Sequence, residues 1–345
     1  MNDVSEMPLL VRSGPARRHR RRLVLALMAI AVAAGAVWWY VAPARAPEPT
    51  PVAVIAPPTE PPTATTAPES PPPAQAPQLP DGLRYVRATL KGPLETAFVA
   101  QVGRELGAPL TQVVARTLVW WVSVPVDFRP GDVVDVLFTQ RANAEPLVHA
   151  VRFQSAKAGR TFATYSFQPS GSTFAHFYTG DGDELEPRLR DAPLDDYEQV
   201  TSLLRDGRGH KGVDFRVPVG TPVKATFDAV VMRRNWNPGS NGNALDLRED
   251  GGAGRSVYLL HLSEIPPELR VGDHVKLGQV VAKSGNTGHS FAPHLHYQLM
   301  SRDGSVLDPF AVQPTLRRAL TDAQRAAFKT EVQRLDGLFA AAAVR

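Results

Sequence analysis

The chain has 345 residues, 43% hydrophobic and 21% charged, an ordinary globular balance that excludes global disorder. It contains 32 prolines and no cysteine, which excludes disulfide scaffolds, thiolate metal ligands and thiol nucleophiles together. Lys and Arg (38) exceed Asp and Glu (34) by four, but six arginines against Asp3 and Glu6 in residues 1–22 hold that whole surplus. The remainder is formally neutral, so a nucleic-acid-binding face is not supported.

Residues 1–22 read as a basic cytoplasmic tail. Residues 23–42, LVLALMAIAVAAGAVWWYVA, carry no charge and would span about 30 Å as a helix, enough for the hydrocarbon core of a bilayer. Trp38, Trp39 and Tyr40 stand at the far end, where aromatic rings prefer the headgroup zone, and the arginines on the near side orient the tail inward. Ala42-Pro43-Ala44 offers small residues for a signal cleavage, but signal h-regions run about 7–15 residues, so the reading is an uncleaved anchor. Residues 43–82 form a linker: 14 prolines fall between positions 43 and 80 among Ala, Thr and Glu. Such a segment cannot bury enough apolar surface to offset its ordering entropy. An extended, polyproline-like tether is predicted, reaching on the order of 100 Å.

Residues 83–195 predict a small α+β module. Segments 94–107 and 109–121 read as two short helices, with Leu94, Phe98, Val102 and Leu106 recurring every four residues. Arg129-Pro130-Gly131-Asp132 signals a turn, followed by VVDVLFT and three alternating segments that read as strands. His149 and His176 lie singly in these strand patterns and read as structural or solvated. Residues 196–312 predict an antiparallel sheet domain of short strands between Gly, Pro and Asn turns, at Val213–Arg216, 223–225, Ala229–Arg234, 244–247, 256–261, 279–283 and His294–Met300. Residues 313–345 hold a helix, with Phe328, Val332, Leu335 and Leu338 on the face expected to pack on a neighbouring domain.

The histidines are not scattered. Six of nine fall between positions 210 and 296, four of them in His210-Lys-Gly-Val-Asp214, Tyr-Leu-Leu-His261 and Pro-His294-Leu-His296. On a strand His294 and His296 project together. His210 and Asp214 would sit about 13 Å apart on a straight strand, so to share an ion the chain must bend between them, which Gly212 permits. Taken together the set offers two imidazoles and a carboxylate for a tetrahedral metal with one open position, the catalytic rather than the structural pattern of zinc.

The stretches GHKGVDFRVPVGTPVKATFDAVV, GNALDL, YLLHLS, VGDHVKLGQVVAKSGNTG and PHLHYQL, in that order, resemble the LytM/lysostaphin-type zinc endopeptidases over residues 205–312. Residues 83–190, by Pro130-Gly131-Asp132, the Tyr178 region and Pro193 onward, also look like the module that precedes the core in membrane-anchored Gram-negative members. The resemblance implies an antiparallel β-sheet core with a peptide groove, one Zn2+ per chain held by His210, Asp214 and His296, and His261 and His294 flanking the attacking water. It implies peptidoglycan peptide stems as substrate and an inner-membrane anchor through residues 23–42 with periplasmic domains, and leaves open whether residues 83–195 orient the core, bind the wall or inhibit the enzyme by covering the groove. The competing reading is a catalytically inactive scaffold that binds the wall or activates other wall hydrolases. Ser202 to Arg208 departs from the family stretch before the first histidine, as does Arg248-Glu249-Asp250-Gly251-Gly252 after GNALDL. His274 and His289 read as surface residues; Asp246 and Asp308 read as carboxylates either supporting the site or ending strands.

Overall fold

The computed structural model describes residues 78–79, 82–204, 206 and 209–343. The basic tail, the anchor at 23–42 and all of the linker but Gln78, Leu79 and Gly82 lie outside those residues. No helix among the described residues is long and apolar enough to cross a membrane.

The first half is built on a five-stranded antiparallel sheet of β1 (Arg84–Thr89), β2 (Val133–Thr139), β3 (Leu147–Ser155), β4 (Arg160–Phe167) and β5 (His176–Thr179), in that spatial order. Helices α1 (Leu94–Val102) and α2 (Arg104–Leu118) cover one face, where Phe98, Leu110 and Val114 pack against Val134, Val136 and Phe153. The last helix, α3 (Asp322–Ala343), covers the other, placing Phe328, Leu335 and Phe339 against Tyr85, Leu137 and Tyr165. A sheet covered on both faces has no solvent side, so VVDVLFT in β2 is buried at six consecutive positions instead of alternating. Asp135 survives there because Tyr85 Oη (2.6 Å) and Arg87 (3.0 Å) both donate to it.

The helix boundary differs from the sequence reading, which divided the helices between Gly107 and Pro109. The break comes at Gly103, whose φ of 76° and ψ of 166° end α1, and α2 then runs through Pro109. Proline in the second turn of a helix forfeits one backbone hydrogen bond and keeps a helical φ. A residue held at that positive φ breaks the helix outright.

The second half forms an eight-stranded antiparallel sheet. Its strands are β7 (Gln199–Ser202), β8 (Val213–Arg216), β10 (Ala229–Arg234), β11 (Asn243–Glu249), β12 (Ser256–Leu262), β13 (His274–Val275), β15 (His294–Met300) and β16 (Val306–Leu307). Their order is β13-β10-β11-β12-β15-β8-β7, with β16 on β15. Two small pairs flank it, β9 (Pro222–Lys224) with β14 (Val280–Lys283) and β6 (Arg188–Leu189) with β17 (Thr315–Leu316). Period-two alternation divides the sheet. Phe215, Leu245, Leu247, Leu259, Leu295 and Leu299 enter its apolar core, while Asp214, Asp246, Tyr258 and His296 occupy the other face. The two halves touch through Trp120 at the end of α2, edge-on to Phe310 at 5.4 Å. Glu145 also joins them, accepting from Arg116 (2.6 Å) and Arg216 (2.8 Å).

Candidate metal centre

Strands β8 and β15 are antiparallel neighbours with Asp214 directly opposite His296. His210 lies in the turn before β8, outside the ladder, so its side chain returns over Asp214. Among the described residues this is the group that could hold a metal. Its ligand atoms form a nearly equilateral triangle: His210 Nε2 to His296 Nδ1 3.0 Å, His210 Nε2 to Asp214 Oδ1 3.2 Å, and His296 Nδ1 to Asp214 Oδ1 2.9 Å. Three ligands of one tetrahedral zinc, each bonded at about 2.0–2.2 Å, stand about 3.3 Å apart, so the donor set fits that ion. Glycine is required at 212 for space rather than for a special φ. A Cβ there would lie 2.7 Å from His296 Nε2 and from the Tyr297 carbonyl.

His261 reaches this face by an irregularity. Asn243 pairs with Leu262 and Leu245 with Leu259, so three steps along β12 oppose two along β11. The extra residue makes a bulge, and His261 takes a left-handed φ of 62°. The bulge re-aims a ring that strict alternation would send to the opposite face from Leu260 and His296. The His261 ring centroid lies 4.8 Å from that of His294 and 6.0 Å from that of His296. His261 Nδ1 stands 2.9 Å from the Thr287 carbonyl and His294 Nδ1 2.7 Å from the Ala292 carbonyl. A carbonyl only accepts, so both Nδ1 atoms carry a proton, and in the neutral form of either ring the lone pair falls on Nε2. His294 Nε2 is 3.7 Å from Asp214 Oδ1, beside the triangle but not in it.

The electrostatics favour a cation. Burial pushes the Asp214 carboxyl up, but the hydrogen bonds from His210 and His296 outweigh it and hold it below the usual range. Burial likewise works against a charged His210, but Asp214 and the Leu203 carbonyl raise it overall. His261 is pushed down to about 4, first by burial, so it is a neutral imidazole at neutral pH.

The other residues singled out from the sequence lie elsewhere. His149 meets Thr139 Oγ1 at 2.8 Å. His176 is buried near Glu184, Arg188 and Asp196. His274 pairs with Asp250 at 3.0 Å, and exposed His289 rests against Phe291. Asp308 caps a helical turn by accepting from Phe310 N at 3.0 Å. Asp246 accepts from Arg233 Nε at 2.8 Å. The sequence reading did not find the groups that orient the imidazoles: Ser202 Oγ, 2.9 Å from His210 Nδ1, and the carbonyls of Leu203, Thr287 and Ala292. Backbone carbonyls carry no side-chain signature, and Ser202 lies in the stretch that departs from the family pattern.

The sequence profile of Peptidase family M23 matches residues 208–309, which carry all five of these side chains. This segment belongs to that family. The chain is 44% identical over 100 residues to glycyl-glycine endopeptidase ALE-1 of Staphylococcus capitis, covering 29% of this chain and 27% of that one. Peptidoglycan DD-endopeptidase ShyA of Vibrio cholerae is 27% identical over 264 residues, covering 73% of this chain and 59% of that one. The catalytic domain of lysostaphin from Staphylococcus simulans is a similar solved structure, at 39% identity and a TM-score of 0.28 over 30% of this chain and 80% of that one. The chain thus spans less than two thirds of the length of either curated relative.

Proposed function

We propose that this chain is a zinc-dependent endopeptidase that hydrolyses peptide cross-links of peptidoglycan at the cell envelope. The observation that carries the reading is the His210–Asp214–His296 triangle with two neutral-capable imidazole Nε2 atoms beside it. A zinc ion there would polarise the scissile carbonyl and lower the pKa of an attacking water to about 7. The protein's own residues do the rest. His294 and His261, each with Nδ1–H fixed on a carbonyl, present Nε2 toward the space above the triangle. One takes the proton of the attacking water and returns it to the departing amine nitrogen; an imidazolium formed there also stabilises the oxyanion. Retention of all five side chains favours this over an inactive scaffold, which needs none of them. Residues 23–42, as an anchor, would place the folded halves on the periplasmic side of the inner membrane.

A second element of the proposal concerns residues 83–195. Glu145 ties that half to Arg216, two residues beyond Asp214 and opposite His294 in the ladder. Through that contact the first half would restrain the groove, so Glu145→Gln should raise the rate of cleavage several-fold.

The test is mass analysis of the products when zinc-loaded protein meets defined cross-linked peptide dimers. Monomers, each pair heavier by one water, should appear and a chelator should abolish them. Intact dimers in the zinc-loaded sample would overturn the reading.

A further inference from the structure

The metal ligands share their sheet face with a second feature. Stepping two residues at a time along β15 from His296 leads to Gln298 and Met300; across the ladder these oppose Tyr258 and Ser256 of β12, which in turn oppose Asp246 and Arg248 of β11. With strands about 4.8 Å apart and residues rising about 3.4 Å, Arg248 stands about 17 Å from His296. A pocket of about 760 Å³ opens there, lined among others by Arg233, Asp246, Arg248, Tyr258 and Arg302.

The acids in this pocket are already engaged, and two of its bases are not. Asp246 accepts from Arg233 at 2.8 Å, and Glu249 pairs with Arg255 at 2.7 Å. Arg233 is held further by Trp236 and Tyr258, with its guanidinium carbon 4.5 and 5.2 Å from their ring centroids. Arg248 and Arg302, both exposed, have no ion-pair partner among the described residues. A second observation points the same way: Asp246 is only 6% exposed, and its Oδ1 is buried without a hydrogen-bond donor among the described residues. A buried carboxylate oxygen without a donor has lost its hydration uncompensated, a loss that a bound N–H would offset.

We infer that this pocket binds a free carboxylate of the peptide being cleaved, through Arg248 and Arg302, while Asp246 Oδ1 accepts an N–H from the same segment. The guanidinium fork matches a carboxylate in two parallel hydrogen bonds. The 17 Å separation equals about five extended residues, within the reach of one stem peptide lying along the groove. The inference deepens the peptidase proposal and rests on it for the identity of the ligand.

Calorimetric titration of the full chain in detergent tests it, with an un-cross-linked stem tetrapeptide whose carboxylates are free or amidated. The free form should bind about tenfold tighter, a preference weakened by salt. Arg248→Gln with Arg302→Gln should erase the preference while leaving affinity for the amidated form and the melting temperature unchanged. Equal affinity of the unmodified protein for both peptides, or a preference that survives in the double variant, would overturn the inference. Cleavage of cross-linked dimers is measured in parallel. A carboxylate preference without cleavage sinks the peptidase reading and leaves the pocket standing; cleavage without preference does the reverse.

Discussion

His261 occupies backbone space that costs an L-residue about 1–2 kcal/mol and glycine almost nothing. Its chemistry and its strain are therefore separable. His261→Ala and His261→Gly should abolish cleavage alike, but the glycine variant should be more stable by about 1 kcal/mol in urea unfolding; equal stability would mean the bulge relaxes. The ligands and the flanking imidazoles divide differently. His210→Ala or Asp214→Ala should reduce bound zinc from about one per chain to near zero by elemental analysis. His294→Ala should keep the zinc and lose at least about 100-fold in cleavage rate. Metal loss in the His294 variant would place it among the ligands. The local part of this site was legible in the sequence: the spacing of His294 and His296 shows a shared strand face, and the His210–Asp214 interval demands a bend. The convergence of β8 on β15 and the bulge that turns His261 inward were not, because both depend on pairings between residues 14 to 82 positions apart, such as Leu245 with Leu259 across the turn and Asp214 with His296.

At the scale of elements, most short strands of the second half were legible because turn residues bracket each one, although their ends move by one or two positions. The α1/α2 junction was not, since Pro109 looks like a helix start and Gly107 like a stop. Only packing shows that Gly103 takes the positive φ. The apolar stripe of α3 was legible: Phe328 and Leu335 are buried, Val332 and Leu338 pack partly buried against the same cluster, and Phe339, which the sequence reading left out, adds to the face. This face is what covers the second side of the five-stranded sheet. Leu335 has no exposed surface, so Leu335→Ala should cost about 2–5 kcal/mol, read as a lowered urea midpoint. Cleavage at saturating substrate should stay near that of the unmodified protein while the variant remains folded, because α3 makes no part of the metal centre.

Across the whole molecule, one half-buried and one buried glutamate give stability opposite dependences on pH. Glu145, pressed up by burial but held down more strongly by Arg116 and Arg216, falls to about 2. Its contribution is present above the unfolded value of about 4.3 and is lost as pH falls toward 2. Burial lifts Glu186 to about 8, so between about 4.3 and 8 the folded state holds a proton that the unfolded chain has released, and stability declines as pH rises. Glu186→Gln should therefore gain on the unmodified protein between pH 5 and pH 8, by on the order of a few kcal/mol, and be level with it near pH 4. A pH-independent difference in urea midpoint would show that Glu186 is ionised in the fold. The path of the chain through the molecule has a temporal meaning as well. The ribosome finishes β1–β5 long before α3 emerges, so until residues 322–343 are made the face bearing Tyr85, Leu137, Tyr165 and Tyr178 has nothing to cover it. A polypeptide that stops short, even one with an intact peptidase segment, carries that greasy face as a tag of its own incompleteness. Chaperones and quality-control proteases, which read exposed apolar surface, can then separate chains that carry α3 from chains that lack it.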